Sequence, residues 1–143
     1  MDFAQVFSAA SSAAMLGWLV LILAPRRPVV IQALRLGLIG ALSLTYAVLI
    51  FVYFFRVEGG GFGSIAEVRA LFVSDPVLIA GWVHYLAFDL FVGTWIAVEA
   101  DKRGYNRLLQ APMLIATFMF GPIGLLLFYL TRASEAALTA RKV

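Results

Sequence analysis

Two ionisable residues, His84 and Asp89, lie inside an apolar stretch of the sequence and could together do acid–base chemistry. A carboxyl group in a medium of low dielectric favours its neutral form, which donates a proton, and a neutral imidazole accepts one. In a helix, five residues separate the directions of the two side chains by about 140° and their positions by ~7.5 Å. The two side chains therefore cannot pair directly. Either they flank one cavity from two sides, or each contacts a different neighbouring helix.

A structural interpretation of the same residues stays open, in which a buried polar link fixes how helices pack. An aspartate at the centre of a membrane helix costs about 2.5 to 3.5 kcal/mol, so Asp89 is expected to face protein or a wet cavity. Tyr85 lies one helical turn before Asp89 on the same face. Trp95 and Glu99 share the side of His84. Glu99 lies ~22 Å along the axis from the histidine, which predicts an orienting role at the membrane interface.

The composition predicts that this stretch is one of several transmembrane helices. Of the 143 residues, 63% are hydrophobic and 13% are charged, whereas about 25% of a soluble domain is charged. A bilayer core of ~30 Å requires about 20 helical residues, and four apolar segments reach that length. The predicted fold is an all-α membrane bundle of four transmembrane helices in one domain, residues 1–143. The helices are expected at about 4–24, 31–55, 76–100 and 111–131.

The segments between these helices contain signals that start, end or interrupt a helix. Pro25-Arg26-Arg27-Pro28 ends the first helix, because proline restricts the preceding residue and arginines stop membrane transfer. Ser64-Ile65-Ala66-Glu67 fits a capping box and predicts a short interfacial helix between helices two and three. Gly121 and Pro122 predict a kink in helix four, because proline removes one backbone hydrogen bond.

The charge pattern favours a lipid partner, and the cysteine and histidine content argues against a metal or cofactor site. The net charge is +3, and the basic residues cluster near helix ends, which favours anionic headgroups over nucleic acid. The bare N-terminus and the arginines after helix one predict both termini outside, with a bacterial inner membrane as the expected location. The chain has no cysteine and one histidine, so no metal or other cofactor is expected.

A resemblance to a known family rests on two stretches of the sequence and on Trp95. The first is Trp-Val-His-Tyr-Leu-Ala-Phe-Asp-Leu-Phe-Val-Gly at Trp82 to Gly93, and the second is Thr-Phe-Met-Phe-Gly-Pro-Ile-Gly at Thr117 to Gly124. These stretches resemble the abscisic-acid-deficient-four-like family, small membrane proteins whose plant members are implicated in neoxanthin synthesis. The resemblance implies a lipophilic, carotenoid-related ligand without fixing a substrate.

The chemistry that the resemblance implies is compatible with the residues present. Conversion of an epoxy carotenoid to an allenic alcohol is an isomerisation, which requires protonation of the epoxide oxygen and removal of a proton from carbon. In this hypothesis Asp89 donates the proton, and His84 or a bound water accepts one. The residues expected to hold the substrate are Trp82, Tyr85, Phe88, Trp95, Thr117, Phe118, Gly121 and Pro122. Glu99 and Arg132 are expected in orienting or interfacial roles.

A function of a different class remains as the alternative. The chain could be a non-catalytic membrane subunit or assembly factor of a larger complex. Small residues along helices one and two, such as Gly17 and Gly37, would then let other helices approach closely. The possible partners are accordingly the lipid bilayer, a lipophilic small molecule, a second copy of the chain and a larger membrane complex.

Overall fold

The computed structural model describes residues 2–140, and all regular structure in that range is helical. The helices are α1 (Phe3–Leu23), α2 (Pro28–Gln32), α3 (Gly40–Tyr53), α4 (Ile65–Val73), α5 (Asp75–Lys102), α6 (Arg107–Phe120) and α7 (Pro122–Ala140). A π-helical segment, Ala33–Ile39, joins α2 to α3, and a 3₁₀ turn, Phe54–Arg56, extends α3. The predicted all-α class is confirmed for this part of the chain.

Three helical segments in the described range are long and apolar enough to cross a membrane: Phe3–Leu23, Pro28–Arg56 and Asp75–Lys102. They agree with the first three predicted helices. The last of them, α5, packs against α1, α3 and α6 and is the centre of the bundle. Its side chains Val83, Leu90 and Ile96 are fully buried.

The short helix α4 begins where the capping box predicts, although the Glu67 side chain bonds the residue before the cap and not the cap residue itself. Ser64 Oγ accepts a hydrogen bond of 3.2 Å from the backbone N–H of Glu67. The Glu67 carboxylate in turn accepts a hydrogen bond of 2.9 Å from the backbone N–H of Gly63. The side chain of Phe72 then packs on Gly81 of α5. The existence of this helix is confirmed, and its position at a membrane interface stays a prediction.

The segment predicted as helix four is two helices that fold back on each other. At Gly121 the backbone takes φ 51° and ψ −98°, which ends α6 and reverses the chain. Beyond the turn, Gly124 packs on the backbone carbonyl of Met113 and on Thr117. A continuous helix would hold residues 113 and 124 ~16 Å apart. The prediction of a fourth transmembrane helix with a kink is therefore corrected to a helical hairpin.

The hairpin also changes where the ends of the chain lie. Tyr105, just after α5, donates a hydrogen bond of 2.6 Å to the Glu135 carboxylate, near the end of α7. At the opposite end of the bundle, Phe3 packs edge-on against Tyr53, with ring centres 5.5 Å apart. The two ends of the described chain are thus on opposite ends of the bundle. The prediction that both termini lie on one side does not fit this fold. Because α6 and α7 form a hairpin, α7 ends at the same end of the bundle at which α6 begins.

Candidate functional site

The tip of the hairpin meets α5 at Asp89, near the middle of that helix. Asp89 is 8% exposed. A Cβ atom placed on Gly121 would lie 2.7 Å from Asp89 Oδ1, so only glycine leaves room for the carboxyl group. The Tyr85 hydroxyl, one turn earlier, lies 3.2 Å from the Phe118 carbonyl oxygen and 3.0 Å from that of Met119, and its single proton is shared between the two. These carbonyls end α6 and have no further helical turn to bond them.

The Asp89 carboxyl group is not fully satisfied by the protein. Its Oδ2 atom is buried and has no hydrogen-bonding partner among the residues that the structure describes. A buried polar atom without a partner costs free energy, and in native proteins such atoms usually contact water or a ligand. Asp89 is therefore the group in this region best placed to bind something that the protein itself does not supply.

A cavity of about 240 Å³ lies beside this carboxyl group, between α1, α5 and α6. Its lining residues are Ser11, Ala14, Met15, Trp18, Trp82, Tyr85, Leu86, Asp89, Phe118 and Met119. Trp82 stacks on Tyr85, with ring centres 5.5 Å apart, and donates its indole N–H to Ser11 Oγ at 2.9 Å. Apolar walls with a few oriented polar groups are typical of small-molecule sites.

Five of the predicted site residues meet at this place: Trp82, Tyr85, Asp89 and Phe118 line the cavity, and Gly121 touches the carboxyl group. Two further residues build the hairpin without lining the cavity. These are Thr117 and Pro122. Thr117 is fully buried and donates its hydroxyl to the Met113 carbonyl at 2.8 Å. Pro122 is the exposed first residue of α7.

His84 does not share the cavity with Asp89. Its exposed ring stacks on Phe88, with ring centres 4.4 Å apart, and lies 5.3 Å from the ring of Tyr46 on α3. Phe88 lines a separate cavity between α3 and α5. Of the two arrangements that the spacing leaves open, the structure therefore has the one in which His84 and Asp89 contact different helices.

The remaining candidates lie at the charged end of the bundle. Trp95 packs on Phe128 of α7, with ring centres 5.4 Å apart. Arg132 places its guanidinium 5.9 Å from the centre of the same Phe128 ring. Glu99 accepts a hydrogen bond of 2.7 Å from Lys102. Trp95 and Arg132 thus support the second half of the hairpin, and none of the three lines the cavity at Asp89.

The contribution of α1 to the site was not predicted from the sequence. Trp18 is 3% exposed and packs edge-on against Phe118, with ring centres 5.6 Å apart. Its ring lies directly on Gly93, where a Cβ atom would collide with it. Gly93 ends the Trp82–Gly93 stretch, and a glycine at this place is consistent with a bulky side chain packed against α5. The sequence does not indicate which residue supplies that side chain.

A buried polar network at the base of the hairpin was also not predicted from the sequence. The Arg26 side chain is 3% exposed, donates to Asp101 at 3.0 Å and also contacts the Gln110 side-chain oxygen. Burial lowers the pKa of the Arg26 guanidinium, and the nearby Asp101 carboxylate opposes that shift. At the same end, the hydrogen bond to Glu135 raises the pKa of the Tyr105 hydroxyl. The network ties α1, α5 and α6 together.

Comparison with known proteins identifies a family. The model of the family described as ABA DEFICIENT 4-like matches residues 5–128, a range that contains the cavity and the tip of the hairpin. The resemblance seen in the two stretches of the sequence is thereby confirmed. No curated protein and no solved structure matches the chain.

Proposed function

The chain belongs to the ABA DEFICIENT 4-like family, and from this premise we propose that it binds a carotenoid or related isoprenoid in the cavity at Asp89. The family suggests a membrane protein with a carotenoid-related or isoprenoid-related role. The observation that carries the proposal is the buried Asp89 oxygen that lacks a partner in the described part of the chain. A hydroxyl or epoxide oxygen on the ligand would supply that partner.

The size and position of the cavity fit one end of such a ligand. Drug-sized pockets measure about 300 to 1,000 Å³, so a cavity of about 240 Å³ holds a single ring and not a whole polyene. Met15, Trp82 and Met119 border it and are 40% to 55% exposed on the outer surface of the bundle. The polyene would therefore extend sideways from the cavity along a surface that faces lipid.

The proposal includes an isomerisation of an epoxy carotenoid to an allenic alcohol. The neutral Asp89 carboxyl donates its proton to the epoxide oxygen, and the carbon–oxygen bond breaks to give a hydroxyl group. A neighbouring carbon then loses a proton, and the electrons of that C–H bond form the new double bond. One proton is added and one is removed, so no oxidant or reductant is needed.

The position of His84 changes the hypothesis for the second proton. Since the imidazole stacks on Phe88 outside the cavity, it is not placed to accept a proton from a ligand bound at Asp89. We assign that step to the Asp89 carboxylate formed in the first step, or to a water beside it. Tyr85 holds the α6 carbonyls and so positions the cavity wall.

His84 favours the second candidate function, that of a non-catalytic subunit of a larger membrane complex. Its exposed imidazole lies on the outside of α5, within a segment apolar enough to span a membrane. Polar side chains in such a position usually pair with other protein groups. A second membrane protein, or a second copy of the chain, would supply such groups.

Two variants separate the candidates in cells that make epoxy carotenoids. Asp89→Asn keeps the shape of the side chain but removes its acidic proton, and His84→Gln changes only the outer face. The isomerase proposal expects the pigment profile of the wild type to be lost in Asp89→Asn and kept in His84→Gln. The subunit hypothesis expects unchanged pigments in both, with loss of copurifying proteins in His84→Gln. Unchanged pigments in Asp89→Asn would refute the isomerase proposal.

A further inference from the structure

We propose that the groove between α2, α3 and α5 binds one anionic phospholipid, with the lipid phosphate at Arg35 and an acyl chain over Phe91 and Phe88. The groove lies on the other side of α5 from the cavity at Asp89. The proposal therefore does not depend on the function proposed for that cavity.

Arg35 is a cation within a membrane-spanning segment that the protein only partly satisfies. It lies in the π-helical segment Ala33–Ile39, inside the span Pro28–Arg56. Its Nε donates a hydrogen bond of 3.0 Å to Thr94 Oγ1, and its guanidinium lies 5.9 Å from the ring centre of Phe91. Within residues 2–140, no carboxylate pairs with it. A guanidinium has five N–H donors, so most of them remain for an external anion.

The cavity next to Arg35 has the charge that a phosphate requires. It measures about 370 Å³, and its lining contains three basic side chains and one acidic one. Arg26 is already paired with Asp101, and Lys102 is paired with Glu99 outside the lining. The remaining positive charge is that of Arg35. Basic pockets between membrane helices are typical sites for anionic lipid headgroups.

An apolar cavity continues the groove towards the middle of the bundle. It measures about 230 Å³ and is lined by Ile39, Ser43, Ala87, Phe88 and Phe91. Phe91 also contacts the Arg35 guanidinium, so the charged and apolar cavities adjoin at that ring. From Val98 in the first cavity to Phe88 in the second, α5 rises ~15 Å. A charged end followed by ~15 Å of apolar wall matches a phosphate with the upper part of an acyl chain.

Native mass spectrometry of the full-length protein tests the proposal. The protein in mild detergent is mixed with phosphatidylglycerol or with phosphatidylcholine of the same acyl chains, and bound lipid is counted. We expect one phosphatidylglycerol to bind in preference. Arg35→Gln is expected to weaken its binding about fivefold, the factor for one basic residue at an anionic surface. Arg56→Gln is the matched control, because Arg56 packs over Tyr53 away from the groove.

Equal binding of the two lipids, or an unchanged preference in Arg35→Gln, would overturn the proposal. If Arg35→Gln does not fold, Phe91→Ala removes the ring at which the charged and apolar cavities adjoin, and unchanged binding in that variant would also overturn the proposal. Two competition arms identify the source of the phosphate. If inorganic phosphate alone displaces the bound phosphatidylglycerol, the apolar cavity has no part in binding and the proposal is overturned. If an equal amount of a prenyl phosphate displaces it, the occupant of the groove is a prenyl phosphate, and the proposed phospholipid is wrong.

Discussion

Replacing Gly121 with alanine is expected to force the tip of the hairpin away from Asp89. The added Cβ atom would lie 2.7 Å from Oδ1 of the carboxyl group and 3.1 Å from its Cγ and Oδ2. Contacts this short cannot be kept, so the hairpin or the aspartate must move. The backbone at this residue also has φ 51°, which side chains other than glycine rarely adopt.

The two effects give an expected loss of stability of about 2 to 6 kcal/mol. A backbone conformation that residues with a Cβ atom rarely adopt costs about 1 to 3 kcal/mol. Overpacking of a closely packed site costs about 1 to 3 kcal/mol more. Since whole proteins are stable by only about 5 to 15 kcal/mol, the loss is easily measured.

The assay is equilibrium unfolding in mild detergent, with Gly104→Ala as the matched control. Gly104 has φ 72°, but nothing lies within 4 Å of the Cβ atom that alanine would add. Gly104→Ala therefore reports the cost of a Cβ atom at positive φ without a steric clash, about 1 to 2 kcal/mol. In an Asp89→Ala background the carboxyl group is absent, so the cost of Gly121→Ala should fall by about 1 to 3 kcal/mol. If Gly121→Ala is no more costly than the control, or its cost does not change with Asp89→Ala, the tip does not contact Asp89.

Three further predictions test the hairpin and its surroundings. Tyr85→Phe leaves the Phe118 and Met119 carbonyls of α6 without their shared donor and should lower the free energy of unfolding by about 0.5 to 1.5 kcal/mol; a loss near zero would contradict this. The hydrogen bond to Glu135 raises the pKa of Tyr105 from 10.0, so its stabilisation should be present below pH 10.0 and lost as the pH rises through the folded pKa. Absorbance titration should find a lower Tyr105 pKa in Glu135→Gln, and an unchanged value would count against the contact. The chain has no cysteine, so single cysteines can be introduced as Gln5→Cys and Ser134→Cys and labelled with an impermeant thiol reagent. The two cysteines should be labelled from opposite sides of the membrane, and labelling of both from one side would favour the four-helix topology instead.

The features that local rules determine were predictable from the sequence. The three spans follow from the length of apolar runs, because each must bridge a bilayer of fixed thickness. The start of α4 follows from Ser64 and Glu67, which bond the backbone within one turn. The burial of Asp89 follows from the cost of a carboxyl group in hydrocarbon. Each of these depends on residues that are close together in the chain.

The reversal at Gly121 depends on contacts that the sequence pattern does not contain. Glycine followed by proline predicts an interruption, but a kink and a full turn share that signal. The direction of the chain after Gly121 is fixed by the packing of Gly124 on the Met113 carbonyl. This contact forms only when α6 and α7 already lie side by side. The same holds for Arg26, which the sequence assigned to a membrane-stopping loop. It is buried because Gln110, 84 residues later, contacts it.

The sequence predicts that His84 and Asp89 point in different directions, but it does not predict which of them lies in the cavity. Helical geometry places them on different faces, but the face that forms the cavity is chosen by α1 and α6. Trp18 and Phe118 line the cavity at Asp89, whereas the rings of Tyr46 and Phe88 pack against His84.

The most direct test of the proposed ligand site is to extract the lipophiles that purify with the protein and identify them by mass spectrometry. Wild type is compared with Asp89→Leu, which removes the polar contact at similar size, and with His84→Gln, which leaves the cavity untouched. We predict a carotenoid or related isoprenoid near one per protein in wild type and His84→Gln, and its loss in Asp89→Leu. The same compound at the same level in all three proteins, or only phospholipid in wild type, would contradict the proposal that Asp89 holds a ligand.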